Sequence, residues 1–472
     1  MRSIPFLFAL IWAMGALGQQ AWTLEQCMQR ALERNLDLRN SALDVELASQ
    51  AHEQAYWSFL PNLNGAATHG YNWGKTIDQY TNTFATDRVR TNNVYLSSDV
   101  TLFESGRKHK ELKRSALDEQ AADKALEAYR NDISTAVVRA YLDLLGLREQ
   151  IRAAQEQATS TQQQATITQD LLDAGRVARA DLLDIQAQLA QEEYTTEDFR
   201  IQAEKSKLHL AQLMQLSPEQ MKSFDVATPV ISELVLVEPT ATDAEVMAKV
   251  VASNPAYAQA DLNMRSAEYD IGITRSAGLP SISFNATLGT GYSGRNLEPI
   301  GNPVPDGSTL IGATEGGVPV FAPIYSQDTR VKSWSKQLND NLNESVGFTL
   351  SVPIFNNLRN RYATDQARIQ YERAKNDLEK RRNVLQIDVQ NALTAQRGAY
   401  RQYISAKLAL DATEESLRMA NERFEQQVIT AADLNVAKAR LQQSTSQLIN
   451  AKYSYLMAEK ALDILQGIPV TL

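Results

Sequence analysis

No proline interrupts the chain between Pro61 and Pro218, nor again between Pro353 and Pro469. From Arg107 to Leu216 the only glycines are Gly146 and Gly175, and from Asn356 to Gln466 the only one is Gly398. Proline and glycine are the residues that break helices, so both stretches are free to run as very long helices. At ~1.5 Å per residue, a helix from Arg107 to about Asp173 is on the order of 100 Å long. A rod of that length does not fit inside a compact globular domain. Its apolar residues keep heptad-like steps through Ile133, Val137, Ala140, Leu144, Leu147 and Ile151. The return arm continues with Leu182, Ile185, Leu189, Phe199, Ala203 and Leu210, interrupted by Glu192 and Thr196. Narrow seams with Ala, Gln and Thr between them suit antiparallel helices that pack together and also face water.

The chain is also duplicated. Asn35, Leu60, Pro61 and Ala67 recur as Asn254, Leu279, Pro280 and Ala286, all at one constant offset. Val100, Phe103, Arg107, Asp181, Leu182 and Leu213 recur as Val352, Phe355, Arg359, Asp433, Leu434 and Leu465, all at a second and larger offset. The increase between the two places an insertion in the Pro- and Gly-rich segment 294–344. The first repeat covers 19–216, with a helix over 23–57, strands over 61–73 and 92–103, and a helical hairpin over 107–216. The second covers 242–468, with a helix over 242–277, strands over 281–292 and 345–355, and a hairpin over 357–467. A linker, 217–241, joins them, and the proline-bearing connection 293–344 is assigned no regular structure. Thr23-Leu24-Glu25-Gln26 has a capping-box pattern, and Asp243 with Glu245 places acid in the matching first turn of the second copy.

After each Leu-Pro the hydrophobic period changes to two. Ile282, Phe284, Ala286, Leu288 and Tyr292 alternate with Ser283, Asn285, Thr287 and Gly289. Val346, Phe348, Leu350, Val352 and Ile354 alternate with Gly347, Thr349 and Ser351. Val94, Leu96, Val100 and Leu102 stand against Ser97, Asp99 and Thr101, and residues 61–73 form a weaker fourth strand. Such alternation marks any half-buried strand. Four strands of about ten residues with Tyr71, Trp73 and Tyr292 near their ends also fit a lipid-facing barrel wall. Closed walls use about eight strands or more, so four strands in a membrane require several copies to complete the ring.

Arg2, the apolar run from Ile4 to Leu17 and the small residues Ala16-Leu17-Gly18 form a secretory leader, residues 1–18. No later stretch approaches the ~18 uninterrupted apolar residues of a spanning helix. Cys27 is the only cysteine; internal disulfides are excluded, and it reads as a half-buried helix residue. A net charge of -9 with basic residues interleaved among acids excludes nucleic acid as a partner. There is no Gly-rich phosphate loop, and His52, His69, His109 and His209 are scattered without metal-ligand spacing. No catalytic, cofactor-binding or metal-binding residues are assigned, and an enzyme is not expected. Asp181 and Asp184 lie one turn apart on the helix that follows the first hairpin tip.

The duplicated order of helix, two strands and long hairpin resembles the TolC family of outer-membrane efflux proteins from Thr23 to Gly467. The most specific local matches are Leu171-Leu172-Asp173-Ala174-Gly175 followed by Asp181-Leu182-Leu183-Asp184, and Ser351-Val352-Pro353-Ile354-Phe355. The resemblance implies a mainly α chain with a β-barrel part. Three copies would share one transmembrane barrel, four strands each, and their hairpins would form an α-barrel across the periplasm. It implies a homotrimer in outer-membrane lipid, with a periplasmic adaptor and an inner-membrane pump or ABC transporter as partners. The tips, Gly175, Arg176, Val177, Ala178 and Arg179 in one hairpin and Gln427, Val428, Ile429 and Thr430 in the other, become the adaptor-docking mouth. Asp181, Asp184 and Asp433 become its cation-selecting acids, while Val436 replaces the second acid in the second copy. Phe424 and Ile429 stand where the family carries a gating Tyr and Arg, so that lock cannot form as such, and Arg176 or Arg179 is a substitute donor. The function implied is a passive exit duct for small molecules or proteins. The competing reading of the same residues is a secreted periplasmic coiled-coil or adaptor protein that uses its hairpins for docking.

Overall fold

The computed structural model of the chain describes residues 21–86, 88–228, 238–426 and 428–470. The leader assigned to 1–18, the middle of the linker and Gln427 lie outside the described residues. In chain order the elements are α1 (Leu24–Arg34), α2 (Leu36–Trp57), β1 (Asn64–Asn72), β2 (Thr76–Ile77), β3 (Phe84–Ala85), β4 (Val89–Phe103), α3 (Arg107–Asp173), α4 (Arg179–Leu213), α5 (Pro218–Ser223) and α6 (Asp243–Ser253). They continue as α7 (Pro255–Ser276), β5 (Ser281–Ser293), β6 (Leu297–Ala313), β7 (Pro319–Val331), α8 (Trp334–Asp340), β8 (Asn343–Ser351), α9 (Arg359–Glu425) and α10 (Ala431–Leu465). Two compact units result: one of Met1–Ser49, Leu117–Arg265 and Glu372–Leu472, the other of Gln50–Ala116 and Ser266–Tyr371.

The second unit holds an antiparallel sheet in the order β1-β4-β5-β8. Its register aligns the alternation of the strands. Val100 is opposite Phe284, which is opposite Phe348, and Leu96 is opposite Leu288. The rings of Phe284 and Phe348 lie 5.1 Å apart between centroids. Asp99, Asn285 and Gly347 face the other way in one row, as do Ser97, Thr287 and Ser345. One face is therefore apolar and open, with Phe348 72% exposed, and the other carries Ser, Thr, Asn and Gly. Among the described residues the outer edges of β1 and β8 pair with no other strand.

The connection 293–344, to which the sequence assigned no regular structure, contains a long ribbon of β6 on β7 followed by α8. Proline is excluded from strands that must donate on both sides, but a two-stranded ribbon has a free edge on each strand. Pro299, Pro305, Pro319 and Pro323 all take paired positions in it, and the register shifts at Ile300/Val304, Pro305/Ser308 and Leu310/Gly312.

In the first unit the duplication reappears as two equivalent cores. Residues 23–57, expected as one helix, form α1 and α2 because Asn35 turns extended and its side chain then accepts from the backbone N–H of Asp37 and Leu38, both at 3.0 Å. Asn254 does the same between α6 and α7, accepting from Tyr257 N–H at 3.0 Å. Thr23 and Gln26 cap α1 reciprocally, as Thr242 and Glu245 cap α6. Cys27 and Ala31 pack on Ile133, Val137 and Tyr141 of α3 and Leu210 of α4. At the equivalent places of the second copy, Val246 and Val250 pack on Leu385, Val389 and Leu393 of α9 and Leu462 of α10. Cys27 is thus fully buried, not half-buried, because it fills the place that Val246 holds in the other copy. Burial pushes its thiol up to about 12.

The two copies are not equivalent in their polar interior. Glu192 on α4 is 1% exposed and accepts from Gln188 at 2.8 Å and Gln157 at 3.3 Å, while its second carboxylate oxygen is buried without a partner. Lys438 on α10 is 3% exposed and donates to Thr161 at 3.4 Å. Burial lowers the lysine's pKa, and the charge of Glu192 opposes that shift. The two opposite charges are not in contact but feel each other, and removing one leaves the other buried without compensation. We predict that Glu192→Ala costs about 3 kcal/mol of stability in a denaturant titration of the detergent-extracted protein, and that Glu192→Leu/Lys438→Leu costs less than the single change. A single variant as stable as the native chain contradicts the coupling.

Candidate functional site at the hairpin tips

The first tip is built by helix-ending chemistry. Gly175 adopts φ +71° past the end of α3, a conformation that favours glycine. Gly175 N–H donates to Leu172 O at 2.8 Å and Arg176 N–H to Leu171 O at 2.9 Å. This double reverse bond satisfies the last carbonyls of the helix and turns the chain. Val177 and Ala178 cross over, and α4 begins at Arg179. Ala178 has no side-chain oxygen to cap α4, but its N–H donates to Asp181 Oδ2 at 3.1 Å.

The second tip repeats the geometry with a fuller cap. Val428 N–H donates to Arg423 O at 2.9 Å, closing the end of α9. Thr430 then precedes α10: its hydroxyl accepts from Asp433 N–H at 3.2 Å, while its own N–H and hydroxyl donate to Asp433 Oδ2 at 3.1 and 2.8 Å. These bonds hold the Asp433 carboxyl below the usual carboxylate range, the side-chain hydroxyl contributing most. Asp433 is nonetheless exposed.

The two tip-proximal aspartates therefore have the same place in each repeat, in the first turn of the outgoing helix, where the helix dipole favours an anion. Asp184 lies one turn further on and is exposed, whereas Asp181 is half-buried and turned back to the backbone. The expected Asp181–Asp184 pair is thus divided between a capping group and a free-facing carboxylate. Gly175, Arg176, Ala178, Arg179, Val428 and Thr430 are exposed, and Val177 and Ile429 are half-buried. Phe424 packs against Ala165, Ile185 and Ala431, so an apolar contact joins the two hairpins at the level of the tips. Glu192 and Lys438 were legible only as an acid interrupting an apolar seam and an unremarked lysine; the charge of one acts on the other across the repeats.

The sequence profile described as "Outer membrane efflux protein" matches residues 27–215 and 246–467, one stretch in each repeat. The chain is similar to the outer membrane protein TolC of Vibrio cholerae, with 23% identity over 460 residues that cover 94% of this chain and 91% of that protein. In fold it is similar to the CmeC outer membrane channel of Campylobacter jejuni (TM-score 0.76, 17% identity, 94% of this chain and 85% of that one). It is equally similar to the outer membrane protein VceC of Vibrio cholerae (TM-score 0.76, 16% identity, 94% and 96%). With both stretches of the profile matched and the long hairpins and four-stranded sheet shared with solved outer-membrane channels, the chain belongs to the outer membrane efflux protein family.

Proposed function

We propose that the protein is the outer-membrane exit duct of a tripartite efflux pump or type I secretion system, and that it works as a homotrimer. The observation that carries this reading is the open sheet: one apolar face, one polar face and two edges that pair with no other described strand. In hydrocarbon an unpaired backbone N–H or C=O costs several kcal/mol, so a sheet crosses a membrane only when closed into a ring. Four strands per copy make a twelve-stranded wall when three copies join, with Val346, Phe348 and Leu350 toward lipid and the Ser, Thr and Asn rows toward the lumen. A water-soluble docking rod has no use for that exposed apolar face.

The duct is passive in this account, and energy comes from an inner-membrane pump reached through a periplasmic adaptor that seats on the tips. The exposed rim of Arg176, Arg179 and Val428 is the surface offered to the adaptor. Three Asp433 carboxylates around one opening concentrate cations and repel anions by focusing the field in a narrow mouth. The capped Asp433 is the better candidate for this than Asp181, which is half-buried and bonded to Ala178.

Two measurements test the mouth. In planar-bilayer recordings Asp433→Asn is expected to lower cation preference and weaken block by divalent cations, and unchanged selectivity removes Asp433 from the mouth. The pH dependence has a definite sign: the Asp433 pKa is lowered by Thr430, so its charge persists to a pH below the ordinary ~3.9 of aspartate, and any stability it lends is present above that value and lost as pH falls through the folded one. Thr430→Ala therefore moves the acid midpoint of cation selectivity upward; a midpoint that stays in place shows that another carboxylate governs it. A third test uses Ile429→Arg, which places a cation beside the acids and is expected to lower conductance. Unaltered conductance puts Ile429 outside the constriction.

A further inference from the structure

The polar face of the sheet is covered at one end by the chain's own loop. Between β1 and β4 the backbone turns back through the short β2–β3 pair. Asp78 organises the turn, its Oδ1 accepting from the N–H groups of Tyr80 and Thr81, both at 3.0 Å. The Tyr80 hydroxyl bonds to Asn93, and in the register Asn93 stands directly opposite Gly291. A Cβ at Gly291 would overlap the Tyr80 hydroxyl oxygen, so only glycine leaves room for the phenol there.

A second anchor lies beside the first. The other Asp78 oxygen accepts from the hydroxyl of Ser293, whose backbone is held on both sides by Gln337, with Gln337 Oε1 accepting from Ser293 N–H at 2.9 Å and Gln337 Nε2 donating to Ser293 O at 3.0 Å. Asp78 is 3% exposed, and Ser293 and Gln337 are not exposed at all. Asn93, Gly291 and Ser293 belong to the rows that carry Ser97, Asp99 and Thr287, which is the polar face. A sheet whose residues are otherwise mostly exposed thus contains one fully buried polar cluster, and its effect is to fasten this loop to that face.

We infer that the loop between Ile77 and Phe84 is an exit constriction, anchored by Asp78 and Tyr80, that sets the size of solute able to leave the barrel. The inference rests on the proposed reading that the polar face lines a lumen shared by three copies. The dimensions decide that the loop matters. Twelve strands ~4.8 Å apart and tilted by ~40° make a ring roughly 24 Å across, and a layer of chain laid on a sheet takes up about 10 Å. Three such layers, one from each copy, nearly reach the axis.

The test is single-channel conductance of the full-length protein in planar bilayers. Tyr80→Ala removes the anchor, and Gly291→Ala evicts the ring with the loop sequence unchanged, its Cβ also crowding the Asn92 carbonyl of β4. Each is expected to raise conductance about twofold or more, since a constriction's width governs flow through it. Asp78→Cys/Ser293→Cys supplies a reversible control: oxidised, the loop is pinned and conductance stays near the native value; reduced, the turn is lost and conductance rises. If Gly291→Ala does not assemble, Tyr80→Ala and the cysteine pair still decide. Native channels that conduct while all assembled variants match them in both redox states overturn the constriction and leave the duct intact. A native protein that forms no channel overturns the duct and the constriction together.

Discussion

The backbone hydrogen bonds at the two outer edges of the sheet are the constraint on which the rest depends. β1 and β8 each present a row of donors and acceptors that no other described strand satisfies, and the sheet between them is apolar on one side. In water such edges invite association, and in hydrocarbon they cannot be left open at all. Joining copies edge to edge answers both conditions, and it also fixes which way the chain faces. In the proposed ring the apolar rows Val100, Phe284, Phe348 and Leu96, Leu288 turn toward lipid, and the polar rows turn inward. A lumen follows from the pleat once the ring is closed.

Duplication explains how one chain builds the rest. Each repeat packs a short capped helix on a hairpin whose arms have 67 and 35 residues, and the cores agree residue for residue, Cys27 with Val246 and Leu210 with Leu462. Differences between the copies then stand out as specialised. Thr430 gives the second tip a full cap where Ala178 gives the first only half of one. Glu192 has Ser444 as its counterpart and Lys438 has Gln186, so neither buried charge is repeated, and each lies in a different repeat.

Much of the fold was legible because its signals are periodic. The proline-free stretches, the heptad-like seams and the two-residue alternation of the strands each depend on neighbours a few positions away. The tip at Gly175 was equally local, because a reverse turn past a long helix favours glycine at one position. What was not legible depends on distant partners or on a rule that context suspends. The break at Asn35 looked like helix because its capping role appears only in the backbone geometry. The β6–β7 ribbon was hidden by prolines that an edge strand tolerates. Lys438 and Tyr80 carried no pattern; the first is influenced by an opposite charge on another repeat, and the second meets a glycine on β5.

In the proposed duct the open sheet is completed by further copies of the same chain, three in all. The direct measurement is the mass of the protein part of the detergent-solubilised particle, by sedimentation or light scattering with the detergent contribution removed. Three times the mass of the single chain, as measured on the denatured particle, is the predicted result. A monodisperse single chain that keeps its strand content in detergent would contradict the account, because its two edges would then have no partner.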